Sequence, residues 1–340
     1  MDRYRIIAAR NVGLFVERLA EMYMIVGDYA DMENLDGRQI QYCKVFLSDA
    51  QNQYTSLLES ELYIDIISKA PHTIVEQPPL DGSKISLLLK TSDEKPRFVF
   101  NSLRLSSEEA VGVDAYIQTR LLFDKYVRSL VGTDMTMERN CVRTWLYVND
   151  IDNNYADVVK ARNDVFDKYG LTVETHFIAS TGIGGNSQVR DADVAIDFLS
   201  CPNINEDDKM YLQATDHLNH THEYGVAFER GTRLTIGDSE QFFISGTASI
   251  DRCGNVLYKD DVIRQTGRLL ENIGALLNDG GATMKDVRYF IIYLRDVSDY
   301  CCINKFMDAA YTDIPRVIVQ AKVCRPGWLI EMECVAMKND

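Results

Sequence analysis

No stretch of this 340-residue chain stays apolar for the ~18 residues that a membrane-spanning helix requires. The N-terminus carries Asp2, Arg3, Arg5 and Arg10 and lacks the apolar core of a secretory leader. Eight cysteines are present, but no Cys-x-x-Cys pair occurs, which removes the common thiolate pattern for zinc. They are expected to be free thiols in a reducing cytoplasm. Basic residues are scarce, 36 Lys and Arg against 51 Asp and Glu, for a net charge of −15. Such a balance argues against nucleic acid as a partner. It would also repel an acidic metabolite unless arginines gather locally. His217, His220 and His222 lie in a polar loop without a clear fourth ligand, so no metal is expected. The glycine-rich stretch from Gly182 to Asn186 lacks the Lys-Ser/Thr of a phosphate-binding loop. No cofactor is expected either.

What is present is a repeated unit. Hydrophobic residues make up 46% of the chain, enough for a sizeable core. Three apolar runs end in aspartate: Tyr42–Asp49, Cys141–Asp150 and Tyr289–Asp296. Each is rich in β-branched and aromatic residues, which is strand chemistry. Each Asp stands where a strand hands over to a helix, and a Tyr follows at similar spacing (Tyr54, Tyr155, Tyr300). Apolar residues from Val262 to Leu277 fall at helical spacing and predict a helix over 261–278, stopped by Gly280 and Gly281. The order helix, strand, helix, strand, strand recurs, so an α+β module of mixed sheets with helices on one face is expected about three times. The predicted boundaries are 1–95 for a partial first module, 96–200 for the second, 201–222 for a linker and 223–340 for a complete third.

Residues 224–338 resemble a complete RidA (YjgF) module. The resemblance rests on Ile244-Ser245-Gly246, on Gln265 to Ile273, on Asn304, on Pro315-Arg316-Val317-Ile318-Val319, and on Ile330-Glu331-Met332-Glu333. RidA proteins are trimers with sites between subunits, so three modules in one chain imply a pseudo-trimer. The tail Val323-Cys324-Arg325-Pro326-Gly327-Trp328-Leu329-Ile330-Glu331 is similar to the C-terminal signature of the chorismatases, which cleave chorismate on RidA-like modules. Tyr224–Gly231, Ala179–Ile183 and Arg143-Thr144-Trp145 also resemble that family. The similarity covers about residues 95–340.

The resemblance implies an enzyme that takes chorismate and releases pyruvate and a hydroxybenzoate. Chorismate carries two carboxylates, which call for guanidinium forks. Arg316 and Arg143 are the first candidates, with Arg230, Tyr224 and Asn304 as further contacts. Protonation of the vinyl ether needs an acid still protonated near neutral pH. Glu331 is the candidate, its proton retained by burial beside Trp328 and Phe243. Cys324 is either a nucleophile or part of the wall. Gly246 admits a ligand close to the backbone. Cys324 and Gly246 together look like the 3-hydroxybenzoate-forming pattern. The arginine slot reads His72 and His176 in the other modules, and the glutamate slot falls near Leu87 and near Ala195 or Asp197. One competent site per chain is therefore expected, in a monomer or low-order oligomer. The rival expectations are an imine deaminase of the RidA type and a ligand-binding protein without turnover.

Overall fold

The structure, a computed structural model, describes residues 2–10 and 12–339. Among them no helix is long and apolar enough to cross a membrane. The first unit runs β1 (Arg3–Ala8), α1 (Phe15–Leu35), β2 (Gln39–Leu47), α2 (Ala50–Leu58), β3 (His72–Glu76) and β4 (Ile85–Ser92). The second runs β5 (Val99–Leu103), the single turn α3 (Ser107–Ala110), α4 (Ala115–Ser129), the single turn α5 (Met137–Asn140), β6 (Cys141–Val148), α6 (Ile151–Lys168), β7 (Ala179–Gly184) and β8 (Val194–Ser200). The third runs β9 (Lys209–Leu212), β10 (Gly231–Ile236), β11 (Ser239–Thr247), α7 (Val262–Asp279), β12 (Val287–Leu294), α8 (Tyr300–Ala310), β13 (Arg316–Gln320) and β14 (Ile330–Asn339).

The sheets share one plan. Their orders are β1-β4-β2-β3, β5-β8-β6-β7 and β13-β12-β14-β11-β10-β9. In each, the strand of an apolar–Asp run pairs parallel with the next strand and antiparallel with the last. The third sheet adds β9 and β10 at its edge, so part of the expected linker is strand. The first unit is not partial. It has the same four strands as the second, including β1, whose apolar residues are interrupted by Arg3 and Arg5 and carry no strand signal in the sequence.

Local chemistry sets these elements. Asp49 accepts a hydrogen bond from the Asn52 amide and Asp296 from that of Ser298, each at a strand-to-helix junction. Asp150 departs from this, with φ +43° and no side-chain cap. Helix α7 buries Leu269, Ile273, Leu276 and Leu277 on one stripe, as its periodicity predicts.

Strand neighbours β3 and β5, β7 and β11, and β12 and β1 join the units in a ring. Isolated bridges, Glu76 with Asn186 and Pro79 with Val319, stitch the same seams. Helices cover the outer faces. The inner faces meet in a shared core, where Phe46, Trp145 and Tyr147 pack with Tyr293 of the third sheet. The chain is a pseudo-trimer of three similarly built units.

Candidate active site

The candidate site lies at the seam between the second and third units. Glu331 lies on the inner face of β14, opposite Tyr293 of β12, and is 4% exposed. Among the described residues no hydrogen-bond donor meets its carboxyl. Burial, reinforced by the nearby Glu333 carboxylate, pushes its pKa up to about 8 against the opposing charges of Arg143 and Arg230. The carboxyl rests where β11 breaks register between Ile244 and Thr247. Gly246, in that break, has no side chain to exclude it.

A cavity of about 260 Å³ opens above Glu331. The second unit supplies Tyr155 and Arg162 from α6, and Ser180 and Gly182 from β7. The segment before β10 supplies Tyr224, Phe228 and Arg230. The third unit adds Gly246, Cys324, Arg325, Trp328 and Glu331. The volume is slightly below the ~300 Å³ lower end of ligand pockets.

Three guanidinium groups face this space. Arg230 is held by the carbonyl and side-chain oxygens of Asn219, at 3.0 and 3.2 Å, and lies over the rings of Tyr224 and Phe228. Arg325 stacks over Tyr224 and Trp328 at 4.8 and 4.7 Å. Arg162 is 2% exposed, and among the described residues its Nε and Nη2 have no hydrogen-bond partner. The indole N–H of Trp328 is likewise buried without a partner. An unpaired buried guanidinium is costly unless something anionic satisfies it. Cys324 sits against Tyr155, and burial pushes its thiol up to about 12, so near neutral pH it is a thiol rather than a thiolate.

Five of the eight residues expected from the sequence therefore meet at one cavity: Glu331, Cys324, Gly246, Tyr224 and Arg230. Arg143 stands behind it. Its guanidinium bonds Glu333 at 2.9 Å and the Ser245 hydroxyl at 3.1 Å, which leaves it no free fork for a ligand. Arg316 and Asn304 are not in the site. Arg316 pairs with Phe290 of β12, on the face opposite that of Tyr293 and Glu331, and so points to the helices. There it ion-pairs with Asp308 of α8 and bonds Asn304. Fifteen positions of separation in the sequence conceal this reversal of face. At the Glu331 register the other sheets carry Ser86 and Ala195, so neither supplies an acid.

Arg162, Tyr155 and Arg325 were missed as site residues. Arg162 did leave a signal: it falls on the α6 face that buries Val158, Val165 and Phe166, a place where arginine has no structural reason to be. His220 and His222 stack on each other beside a separate cavity, and no group of three potential ligands that could hold a metal occurs among the described residues.

The family Endoribonuclease L-PSP matches residues 233–338. A RutC family protein of Pyrococcus abyssi is 34% identical over 99 residues, which are 28% of this chain and 78% of that protein. The chain belongs to the RutC family. That kinship lies in the third unit; over 87% of its length the RutC family chain is similar in fold to a chorismatase crystal structure, with a TM-score of 0.68 at 18% identity and 92% of that structure covered. A RidA crystal structure from the Antarctic bacterium Psychrobacter sp. is 20% identical and covers 37% of this chain and 98% of its own, with a TM-score of 0.31.

Proposed function

We propose that the protein cleaves chorismate to pyruvate and a hydroxybenzoate, 3-hydroxybenzoate being the expected product. The observation that carries this reading is the buried Glu331, its carboxyl pushed toward the protonated form by burial, beneath a cavity rimmed by Arg162, Arg230 and Arg325. In this proposal the arginines take the two substrate carboxylates. Arg162, with unmatched donors, gains most from an anion. The remaining neutral wall, Tyr224, Phe228 and Trp328, suits a six-membered ring.

Glu331 gives its proton to the terminal carbon of the enolpyruvyl group, leaving an oxocarbenium ion and a carboxylate. Capture by the neighbouring ring hydroxyl leads to hydroxybenzoate and pyruvate, with no net water consumed. Capture by water leads instead to a dihydroxycyclohexadiene carboxylate and pyruvate. Glu331 recovers a proton as the ring or the water loses one. Cys324, as a neutral thiol against Tyr155, limits the space open to water and so bears on which route is taken. In the same reading no cofactor takes part, and one chain carries one competent site.

Incubation of the purified protein with chorismate tests this, with pyruvate measured enzymatically and the aromatic product by chromatography. Pyruvate with 3-hydroxybenzoate is expected. Pyruvate with another ring product would discard the product assignment and keep the cleavage. Absence of pyruvate, with hydrolysis of imino acids or with chorismate bound unchanged, would replace the proposal by deamination or by ligand binding.

A further inference from the structure

Glu331 and Glu333 occupy alternate positions of β14, so their side chains leave the same face ~7 Å apart. Their surroundings are opposite. Among the described residues Glu331 has no donor, whereas Glu333 has three, all from the second unit. One oxygen of Glu333 accepts Nη2 of Arg143, at 2.9 Å, and the hydroxyl of Thr181. The other accepts Nε1 of Trp145 at 2.8 Å. Glu333 is 2% exposed, so no solvent shields its charge. The same clamp reaches the site by a second path: the Thr181 hydroxyl oxygen accepts the amide of Gly246 at 2.9 Å, fixing the backbone on which Glu331 rests.

We propose that Glu333 is a positioning residue for Glu331, a carboxylate locked by Arg143, Thr181 and Trp145 whose charge opposes ionisation of the acid beside it. This rests on Glu331 being the proton donor of the proposed reaction. The groups that face Glu331 are Glu333 on its own strand, Tyr293 on β12, Arg143 on β6, Tyr155 on α6, Arg230 before β10, and Cys324. Of these only Glu333 brings a negative charge, and it stands against Arg143 and Arg230 and, across the cavity, Arg162 and Arg325. The third module thus carries the acid, and the second module governs when it is loaded. Without the charge of Glu333 a buried carboxyl facing Arg143 and Arg230 would lose its proton at lower pH.

The test is the pH profile of pyruvate release for the unaltered protein and for Glu333→Gln. Activity of the unaltered protein falls on the alkaline side as Glu331 ionises. In Glu333→Gln that fall should move about one pH unit toward acid, whatever the rate at the acid end. Glu333→Asp, which keeps the charge, should return the fall to its original position. An unmoved fall with a uniformly lower rate would make Glu333 a structural anchor and overturn the proposal. A readout without substrate separates this from the assignment of function. The infrared band of the protonated carboxyl, identified by its loss in Glu331→Gln, can be titrated in the free protein. Its midpoint should shift toward acid in Glu333→Gln, and no shift would overturn the coupling even in an active enzyme. A shift without any pyruvate release would uphold the coupling and reject the reaction. Should Glu333→Gln fail to fold, the Lys44→Met background removes a buried cation that faces the same carboxylate and restores the balance.

Discussion

A Cβ placed on Gly246 would stand 2.0 Å from Oε1 of Glu331, closer than any two such atoms can come. The carboxyl occupies the space that a side chain at 246 would need, in the register break of β11. Gly246→Ala should therefore push Glu331 off its position while leaving the sheet intact. Turnover of chorismate is expected to fall about 100-fold, as for other ångström-scale displacements of a reacting group. Thermal unfolding together with steady-state kinetics would check this; an alanine variant of ordinary activity would show that Glu331 tolerates the shift.

Arg162 is a buried cation whose Nε and Nη2 wait for a partner. Arg162→Met should raise the melting temperature or leave it unchanged, because an unpaired charge is exchanged for an apolar side chain of similar length. The same change should lower kcat/KM about 10- to 100-fold, the range for losing a charge-assisted hydrogen bond. A residue with only a structural role would give the reverse pattern, reduced stability and normal kinetics.

Arg316→Ala should leave kcat/KM within about 3-fold of the original value and cost at most about 1 kcal/mol of stability, since its partner Asp308 is 57% exposed. Substrate titration of this variant beside Arg162→Met separates the two arginines directly. A strong rise in KM for Arg316→Ala would return that residue to the site.

Glu331 keeps its proton in the folded chain up to about 8, whereas the unfolded chain releases it near 4.5. Between these values the folded state binds more protons, so stability falls as pH rises. Glu331→Gln removes that loss. It should melt higher than the original above about pH 8, by up to a few kcal/mol in unfolding free energy, and about equally below pH 4.5. Denaturant unfolding at both ends of the range would measure it.

Lys44 has the opposite sign. Among the described residues its ammonium has no hydrogen-bond partner, and it lies 5.2, 5.7 and 5.0 Å from the ring centres of Phe46, Trp145 and Tyr147. Burial pushes it down to about 8 from 10.5. Across that window the unfolded chain binds more protons, and stability rises with pH. Lys44→Met should stabilise the protein below pH 8, by roughly 1–3 kcal/mol, and the gain should shrink toward pH 10.5.

Much of the fold was legible because its signals are local. The three apolar–Asp runs became β2, β6 and β12, and the spacing from Val262 to Leu277 became α7. Strand β1 was not, since its polar alternation reads as surface until the third sheet covers it. In the candidate site, Glu331, Cys324, Gly246, Tyr224 and Arg230 could be found because each falls in a short motif, at 224–231, 244–246 or 323–331. Arg316 misled because strand spacing says nothing about which face a side chain takes across an intervening strand. Arg162 sits on a helix of one unit and lines a cavity completed by another, a juxtaposition that only the folded ring reveals.

Lys44, Trp145 and Ile291 each stand five residues before the aspartate that closes their strand, at matching positions in the three sheets. In an assembly of identical subunits, any residue chosen there would appear in triplicate. A lysine would then set three ammonium groups against one another in a single interior. Covalent fusion lifts that restriction, because each position can be altered once. The same freedom allows one seam to specialise while the others serve as scaffold, which identical copies could never do.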